Sequence, residues 1–346
     1  MKTNVVGWDI GGAHVKAALL DSNGNVREVF QRPCPLWKDL SFLHKTIAEI
    51  ISQINISDAA HALTMTGELA DLFSSRLEGV NELLKAICEH IPDKSLYVFA
   101  GTRGLIPFGQ INTSDYTLIA SANWLASAVY TADWIKSGLF VDIGSTTTDI
   151  ILIENSTVKP IAYTDFDRLQ SGELVYTGIV RTPVYAIANQ ASVDGLVVPM
   201  MAEQFATAAD IYRLSGDLPD SADQWPASDG GAKTVTGSAR RLARMVGRDL
   251  ESAPLSQWHQ LAKSLQEHQL TNIQNAMNRQ LSRLPENDVC LIGAGIGRFL
   301  VDKLSRRFGY QYIDFSNLVC NTSPLTASAD CAPAVAIAKL LHNDQP

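Results

Sequence analysis

The fold is decided by a stretch that reads VVGWDIGGAHVKAALLD, residues 5–21, and by a second copy that reads GLFVDIGSTTTDIILIE, residues 138–154. In both copies an apolar run leads into Asp-Ile-Gly, a short polar segment follows, and another apolar run comes after it. This order predicts a strand that ends on a carboxylate, a glycine turn and an antiparallel return strand. A motif that occurs twice in one chain predicts two similar halves.

The length of the chain agrees with two halves. Its 346 residues exceed the roughly 250 to 300 at which single cores stop growing. We therefore predict a first domain at 1–137 and a second at 138–346, with the last helix packing back on the first domain. Apolar periodicity predicts helices over Asp115–Ala132, Leu255–Leu284 and Asp330–His342. Strands mixed with helices in two similar halves predict an α/β fold with a cleft between the domains.

Composition and charge exclude several classes of protein. Hydrophobic residues make up 46% of the chain and charged residues 18%, as in folded globular proteins. The net charge of −8, without a basic cluster, argues against a nucleic-acid surface, because phosphate backbones are bound mainly by Lys and Arg. The sequence lacks a signal-peptide pattern and any apolar run of the ~20 residues that span a bilayer, so we expect a cytoplasmic protein without a membrane partner.

The cysteines carry no sign of metal or disulfide chemistry. There are five, without a CxxC pair or metal-ligand spacing, and we expect reduced thiols in the core. They are Cys34, Cys88, Cys290, Cys320 and Cys331.

The two Asp-Ile-Gly turns predict a clamp for a chain of phosphates. Glycine lets the backbone approach closely, and the N–H groups of such turns donate to phosphate oxygens. A carboxylate at each strand end, Asp9 and Asp142, suits Mg²⁺, which keeps several waters and needs few protein ligands. The alternative for each motif is an ordinary β-hairpin. The residues expected to contact phosphate are Gly11, Gly12, His14, Lys16, Gly144, Ser145, Thr146 and Thr147.

At these residues the chain resembles the superfamily of actin, sugar kinases and heat-shock ATPases. The Asp9 turn is similar to the first phosphate motif, the Asp142 turn to the second, and the Gly-rich segment 293–297 to the adenosine motif. The resemblance implies two actin-like, ribonuclease H-like domains with mixed sheets flanking a central cleft. It also implies that Gly293 and Gly295 contact a ligand, although a glycine turn between a strand and a helix is common in proteins without one.

Within the superfamily the chain resembles the hydantoinase A and oxoprolinase family, and more narrowly the proteins linked to tetrahydromethanopterin-dependent one-carbon transfer. Segments 7–14, 64–71, 120–126 and 142–149, with Thr177-Gly178 and Arg181-Thr182-Pro183, carry this resemblance. An archaeal branch of the family makes methanofuran by joining an aminomethylfuran methyl diphosphate to γ-glutamyltyramine. The resemblance thus implies a Mg²⁺-dependent transferase that releases pyrophosphate.

Such chemistry needs a general base near the phenol acceptor, and three carboxylates are candidates: Glu68, Asp142 and Asp149. Glu68 is equally typical of a first-turn helix residue. Asn123 lies in a predicted apolar helix and is either a substrate contact or a packing residue.

Two other functions stay open on the sequence alone. One is an ATP-dependent kinase or hydantoinase-like hydrolase of the same fold, with ATP as its ligand. The other is a nucleotide-gated filament or chaperone subunit. The sequence leaves open whether the acceptor is tyramine or tyrosine, and a homo-oligomer is compatible with it.

Overall fold

The protein is described by a computed structural model that covers residues 2–56, 58–285, 289–319 and 327–345. It forms two compact units. Unit 1 contains residues 1–136, 153–158 and 313–346, and unit 2 contains residues 137–152 and 159–312. The sequence had assigned all of 138–346 to the second domain, whereas the structure places 153–158 and 313–346 in the first unit.

Strands and helices are mixed along the chain. The strands are β1 (Asn4–Ile10), β2 (His14–Leu20), β3 (Val26–Pro33), β4 (Ala59–Met65), β5 (Leu96–Phe99), β6 (Leu105–Pro107), β7 (Ser137–Ile143), β8 (Thr148–Glu154), β9 (Thr157–Val158), β10 (Leu174–Val175), β11 (Gln190–Val193), β12 (Leu196–Pro199), β13 (Cys290–Ala294) and β14 (Gln311–Asp314). The helices are α1 (Ser41–Ile54), α2 (Arg76–Cys88), α3 (Tyr116–Ile119), α4 (Asn123–Ala132), α5 (Asp165–Ser171), α6 (Val184–Ile187), α7 (Ala208–Ser215), α8 (Val235–Met245), α9 (Leu255–Leu281), α10 (Arg298–Phe308), α11 (Ala327–Asp330) and α12 (Ala332–Asp344).

Several helices begin where a hydroxyl side chain can accept a bond from the first helical turn. Ser75 accepts from the N–H of Glu78 at the start of α2, and Thr234 accepts from the N–H of Gly237 at the start of α8. Thr207 and Asp210 form a reciprocal capping box at the start of α7. These bonds satisfy N–H groups that have no partner inside the helix, and so they fix where each helix begins.

The sheet of unit 1 has the strand order β3-β2-β1-β4-β5-β6. β1, β2 and β3 form an antiparallel meander, and β4 and β5 add to it in parallel. Alternate residues of β1, namely Val6, Trp8 and Ile10, belong to a buried apolar cluster that includes residues of α1 and α2. This period of two places Asp9 on the opposite face of the sheet.

The main sheet of unit 2 has the order β10-β8-β7-β13-β14, with β9 paired to the end of β8. β8 runs antiparallel to β10, and β13 runs parallel to β7. A meander followed by further strands on the side of its first strand therefore occurs in both units. The repeated order is the one expected of two actin-like domains, and it carries Asp142 to the end of β7 as Asp9 is carried to the end of β1.

The four cysteines within the described residues carry free thiols. Cys34, Cys290 and Cys331 are buried thiols and Cys88 is half-buried, whereas Cys320 lies outside the described residues. Burial raises the pKa of Cys34 to about 11, so this thiol stays protonated at neutral pH. Within the described ranges, no helix is both long and apolar enough to cross a bilayer.

α12 covers the face of the unit 1 sheet on which Asp9 lies. A Cβ atom at Gly7 would lie 2.0 Å from the carbonyl oxygen of Ala334 and 2.9 Å from the Cβ of Ala338, both on α12. Lys339 of α12 donates to the carbonyl of Gly24 at 2.7 Å, and the His342 ring lies within 3.1 Å of the carbonyl of Ser22. The β2–β3 connection and β1 are thus both held by the last helix.

Because β1 and α12 meet at van der Waals distance, we expect Gly7→Ala to destabilise unit 1. Forcing a methyl group into a packed contact costs about 1–3 kcal/mol. Gly109→Ala is the matched control, since a Cβ at Gly109 would meet no atom within 4 Å. Urea unfolding of the three proteins measures the difference, and equal midpoints for both variants would contradict the close β1–α12 contact.

A second prediction concerns acid stability and His61. The Trp8 indole N–H donates to His61 Nδ1 at 3.1 Å, and burial lowers the pKa of His61 from 6.5 to about 4. Between these two values the unfolded chain binds a proton that the folded chain does not, so stability falls as pH falls from 6.5 towards 4, by up to about 1.4 kcal/mol per pH unit. We expect His61→Gln to flatten the pH dependence of the free energy of unfolding over this range; an unchanged slope would show that His61 is not its source.

Candidate functional site

The two Asp-Ile-Gly turns have the same closing hydrogen bond. The N–H of Gly11 donates to the carbonyl of His14 at 2.9 Å, and the N–H of Gly144 donates to the carbonyl of Thr147 at 2.9 Å. The sequence repeat at 5–21 and 138–154 is therefore also a repeat of local geometry. We call residues 11–14 turn 1 and residues 144–147 turn 2.

In turn 2 the carbonyl groups point towards the segment 178–181. Gly144 O accepts from the N–H of Ile179 at 3.1 Å, and Ser145 O accepts from the N–H of Arg181 at 2.8 Å. In a trans peptide the next residue's N–H points the opposite way, so the N–H groups of Ser145 and Thr146 point away from that segment. Within the described residues neither of them donates to a backbone carbonyl. Both residues are half-exposed, which leaves two adjacent donors for an anion.

Turn 1 is held in a similar way by the residues that follow β3. Gly12 O accepts from the N–H of Leu36 at 3.2 Å, and Ala13 O accepts from the N–H of Cys34 at 2.8 Å. The peptide N–H of Ala13 therefore points away from Leu36. A Cβ at Gly12 would meet no atom within 4 Å, so this glycine faces open space.

Asp9 precedes turn 1 and is 6% exposed. The side-chain amide of Asn123 donates to Asp9 Oδ1 at 3.4 Å, so the structure brings together two residues that the sequence singled out. Asp9 is also the Cα partner of Thr64 on β4. The Thr64 hydroxyl is fully buried and has no hydrogen-bond partner among the described residues, which makes it an unsatisfied polar atom next to the carboxylate.

Lys16 is the cross-strand partner of Asp9, and the sequence predicted it as a phosphate contact. Its Nζ donates to the carbonyl of Asp330 at 2.8 Å. That carbonyl belongs to the last residue of α11, so Lys16 ties β2 to the C-terminal part of unit 1. His14 is buried at 7% exposure on the first position of β2.

Glu68 is almost completely buried, at 1% exposure. The Ser121 hydroxyl donates to its Oε1 at 2.6 Å, and Arg76 Nη1 lies 4.0 Å from the same oxygen. Ser121 has a φ of 51°, in the left-handed region that non-glycine residues seldom adopt. Its strained conformation interrupts the helix that the sequence predicted over 115–132 and separates α3 from α4.

The break between α3 and α4 contacts both acidic site candidates of unit 1, Glu68 and Asp9. Ser121 contacts Glu68, and Asn123, two residues later, contacts Asp9. The sequence pattern pointed to Asn123 but missed Ser121, because a single serine in an apolar run gives no sign of a positive φ.

Asp142 is packed against the Gly-rich segment 293–297. Gly295 has a φ of +76°, and a Cβ there would lie 2.3 Å from Asp142 Oδ1. The N–H of Gly297 donates to the carbonyl of Ile143 at 2.8 Å, and a Cβ at Gly293 would lie 2.7 Å from the ring of Tyr312. Packing within unit 2 therefore explains why Gly293 and Gly295 lack side chains.

Asp149, the remaining acidic candidate, is already engaged. Arg168, itself 1% exposed, donates to Asp149 Oδ1 at 2.8 Å and to the carbonyl of Glu173 at 3.1 Å. Burial raises the pKa of Asp149 above its usual range, and the Arg168 guanidinium partly offsets this rise. The pair links β8 to the end of α5.

The carboxylate beside each turn suits Mg²⁺, which needs few protein ligands. It suits less well a metal ion that needs three or more protein side chains. No group of three or more His, Cys, Asp or Glu side chains suited to a metal ion occurs in the part of the chain that the structure describes. Mg²⁺ is usually held by one or two carboxylates together with waters and substrate phosphates. Asp9 and Asp142, which precede turn 1 and turn 2, match that pattern.

The strain at Ser121 generates a prediction. Ser121→Ala removes a hydrogen bond to a buried carboxylate, which is worth about 1.5–3 kcal/mol, and keeps a Cβ at positive φ. Ser121→Gly loses the same bond but relieves the conformational strain, which costs about 1–2 kcal/mol for a residue with a Cβ. We expect both variants to be less stable than the wild type in urea unfolding, with the glycine variant the more stable of the two. An alanine variant at least as stable as the glycine variant would rule out strain at this position.

Comparison with known proteins gives the family. The chain is 30% identical over 343 residues, 99% of this chain and 98% of the relative, to the (4-{4-[2-(γ-L-glutamylamino)ethyl]phenoxymethyl}furan-2-yl)methanamine synthase of Methanocaldococcus jannaschii. It is 30% identical over 115 residues to the protein of the same name from Methanococcus vannielii, which covers 33% of this chain and 51% of that protein.

Among solved structures, nucleotide-free acetone carboxylase matches with a TM-score of 0.57 at 10% identity, over 98% of this chain and 70% of that chain. At this identity the likeness concerns the fold alone, and it confirms the α/β, actin-like class expected from the sequence. The hydantoinase/oxoprolinase family model matches residues 59–343. The full-length relative is a synthase, and this chain too is an enzyme. The chain belongs to the hydantoinase/oxoprolinase family.

Proposed function

We propose that this enzyme is a transferase in the biosynthesis of a methanofuran-type coenzyme. It joins an aminomethylfuran that carries a methyl diphosphate to the phenol of a γ-glutamyltyramine or γ-glutamyltyrosine acceptor. The observation that carries the proposal is the 30% identity to the methanamine synthase of M. jannaschii along 99% of the chain. The two repeated glycine turns support it, because they offer donors suited to a diphosphate.

The reaction exchanges one carbon–oxygen bond for another. The bond between the furan methylene carbon and the diphosphate oxygen breaks, and its electron pair leaves with the pyrophosphate. The phenol oxygen forms a new ether bond to the same carbon, and the phenol proton passes to a base. Charge develops on the departing oxygens, so groups that stabilise an anion there accelerate the step.

In this proposal turn 2 binds the leaving group. The outward N–H groups of Ser145 and Thr146 donate to diphosphate oxygens, and the hydroxyls of the same residues lie next to these donors. Asp142, which precedes turn 2 in the same unit, would hold Mg²⁺, and the ion would supply positive charge to the leaving group when bound. Thr147 and Gly144 complete the turn through their mutual hydrogen bond.

Three carboxylates are candidates for the general base. Asp149 is held in an ion pair with Arg168, and Asp142 is proposed as a metal ligand. Glu68 stays a candidate for the base, and it too has protein partners: it accepts from Ser121 and lies 4.0 Å from Arg76. The sequence-based expectations that turns 1 and 2 share one ligand in a cleft, and that the protein is cytoplasmic, stay predictions.

The proposed transferase activity predicts release of pyrophosphate that depends on Asp142. We expect purified protein to release pyrophosphate from the furan diphosphate when γ-glutamyltyramine and Mg²⁺ are present, and Asp142→Asn to lower the rate by a factor on the order of 10² to 10³, as for the loss of a group that stabilises the leaving charge. Asp249→Asn is the control, since Asp249 is an exposed carboxylate of unit 2.

Calorimetry separates this function from the ATP-dependent alternative. We expect Mg²⁺-pyrophosphate to bind the protein and Mg²⁺-ATP to bind weakly or not at all. Tight ATP binding, together with no pyrophosphate release from the furan substrate, would replace the proposal with a kinase or an ATP-driven hydrolase.

A further inference from the structure

A buried glutamine lies in the middle of the longest helix of unit 2. Gln269 of α9 is fully buried, on a stretch that otherwise packs Leu265, Leu270 and Ile273 into the core. A buried amide is costly unless its donors and acceptor are satisfied, so its partners reveal what it holds in place.

The side-chain amide of Gln269 forms hydrogen bonds with three residues of unit 2, Thr177, Gly178 and Tyr212. Its Nε2 donates to the Thr177 hydroxyl at 2.7 Å and to the carbonyl of Gly178 at 2.9 Å. Its Oε1 accepts from the Tyr212 hydroxyl at 2.7 Å. Burial raises the pKa of Tyr212 above its usual value, so this hydroxyl stays protonated and donates at neutral pH.

The two residues that Gln269 holds are in direct contact with turn 2. A Cβ at Gly178 would lie 2.4 Å from the carbonyl carbon of Ser145 and 2.4 Å from the nitrogen of Thr146, so the two backbones touch. The Thr148 hydroxyl, on the residue that follows turn 2, donates to the carbonyl of Thr177 at 2.7 Å.

The segment after Gly178 sets the direction of the peptide groups in the turn. The N–H groups of Ile179 and Arg181 bind the carbonyls of Gly144 and Ser145. A displacement of Gly178 would therefore displace these two hydrogen bonds, which orient the N–H groups of Ser145 and Thr146 outward.

We propose that Gln269 is a positioning residue for anion binding: it fixes Thr177-Gly178, and through them the N–H donors of turn 2 that receive a diphosphate. The inference rests on the proposed function, in which turn 2 binds the leaving group. Gln269 touches no substrate itself. The ligand class that depends on it is a diphosphate or inorganic pyrophosphate with its Mg²⁺.

The same helix offers a matched control. Gln280 of α9 is also fully buried, donates through Nε2 to the carbonyl of Ser171 at 3.0 Å, and accepts from Arg283 at 2.7 Å. Its partners are not residues of turn 2 or of the segment 177–181. A change at Gln280 therefore removes a buried amide of the same kind without disturbing the turn.

The test compares Gln269→Leu, Gln280→Leu and the milder Tyr212→Phe with the wild type. Calorimetric titration with Mg²⁺-pyrophosphate gives the affinity, and thermal unfolding gives the stability of each protein. Hydrogen exchange of the peptide that contains residues 144–148, with and without pyrophosphate, reports on the turn without any need for activity.

We expect Gln269→Leu to weaken pyrophosphate binding about tenfold or more, as is usual for residues that support a binding group from behind. It should also speed exchange in residues 144–148, and Tyr212→Phe should change both in the same direction by less. Gln280→Leu should lower the melting temperature but keep the affinity within about twofold of the wild type.

Three other outcomes would contradict the positioning role or the proposed function. Equal loss of affinity in the two leucine variants would overturn the positioning role and assign the effect to general destabilisation. If Gln269→Leu does not fold, unchanged affinity and exchange in Tyr212→Phe would overturn the role by itself. A wild-type protein that binds no pyrophosphate would instead defeat the proposed function, which separates the two failures.

Discussion

Close contact between backbones, made possible by glycine, shapes turn 2 from both sides. On one side Gly178 touches the peptide between Ser145 and Thr146, and on the other Gly295 and Gly297 press against Asp142 and Ile143. At these three positions a Cβ would lie within 2.6 Å of the turn or of the strand end before it. These close contacts leave turn 2 little freedom to reorient its N–H groups. Donors that are oriented in advance stabilise developing charge without further rearrangement.

Turn 1 has the same closing bond but different support. Its carbonyls are bound by Leu36 and Cys34 from the chain after β3, and its glycine at position 12 faces open space. The polar side chains cluster instead beside Asp9, where Asn123 contributes an amide and Thr64 an unsatisfied hydroxyl. The two halves therefore share a backbone motif and differ in the residues that surround it.

The sequence predicted the features that depend on local pattern. The Asp-Ile-Gly repeat located both turns, and apolar periodicity located α9 and α12. The prediction was wrong where long-range partners decide: the apolar run 115–132, expected as one helix, breaks at Ser121. Arg241 is 1% exposed and binds Asp210 and Asp229. Neither the strain at Ser121 nor the pairing of buried Arg241 with its carboxylates produces a periodic pattern in the sequence.

The division of the chain into units also has a consequence for biosynthesis. The N-terminal unit includes residues 313–346, so its sheet lacks the covering helix α12 until the whole of unit 2 has left the ribosome. Unit 1, whose synthesis begins first, is therefore the last unit to be completed. While the nascent chain grows, the face of β1 around Gly7 and Asp9 is without its partner, and such uncovered apolar surfaces are the ones that recruit chaperones or cause aggregation. Loss of the C-terminal 34 residues would accordingly damage the half of the molecule that lies first in the sequence.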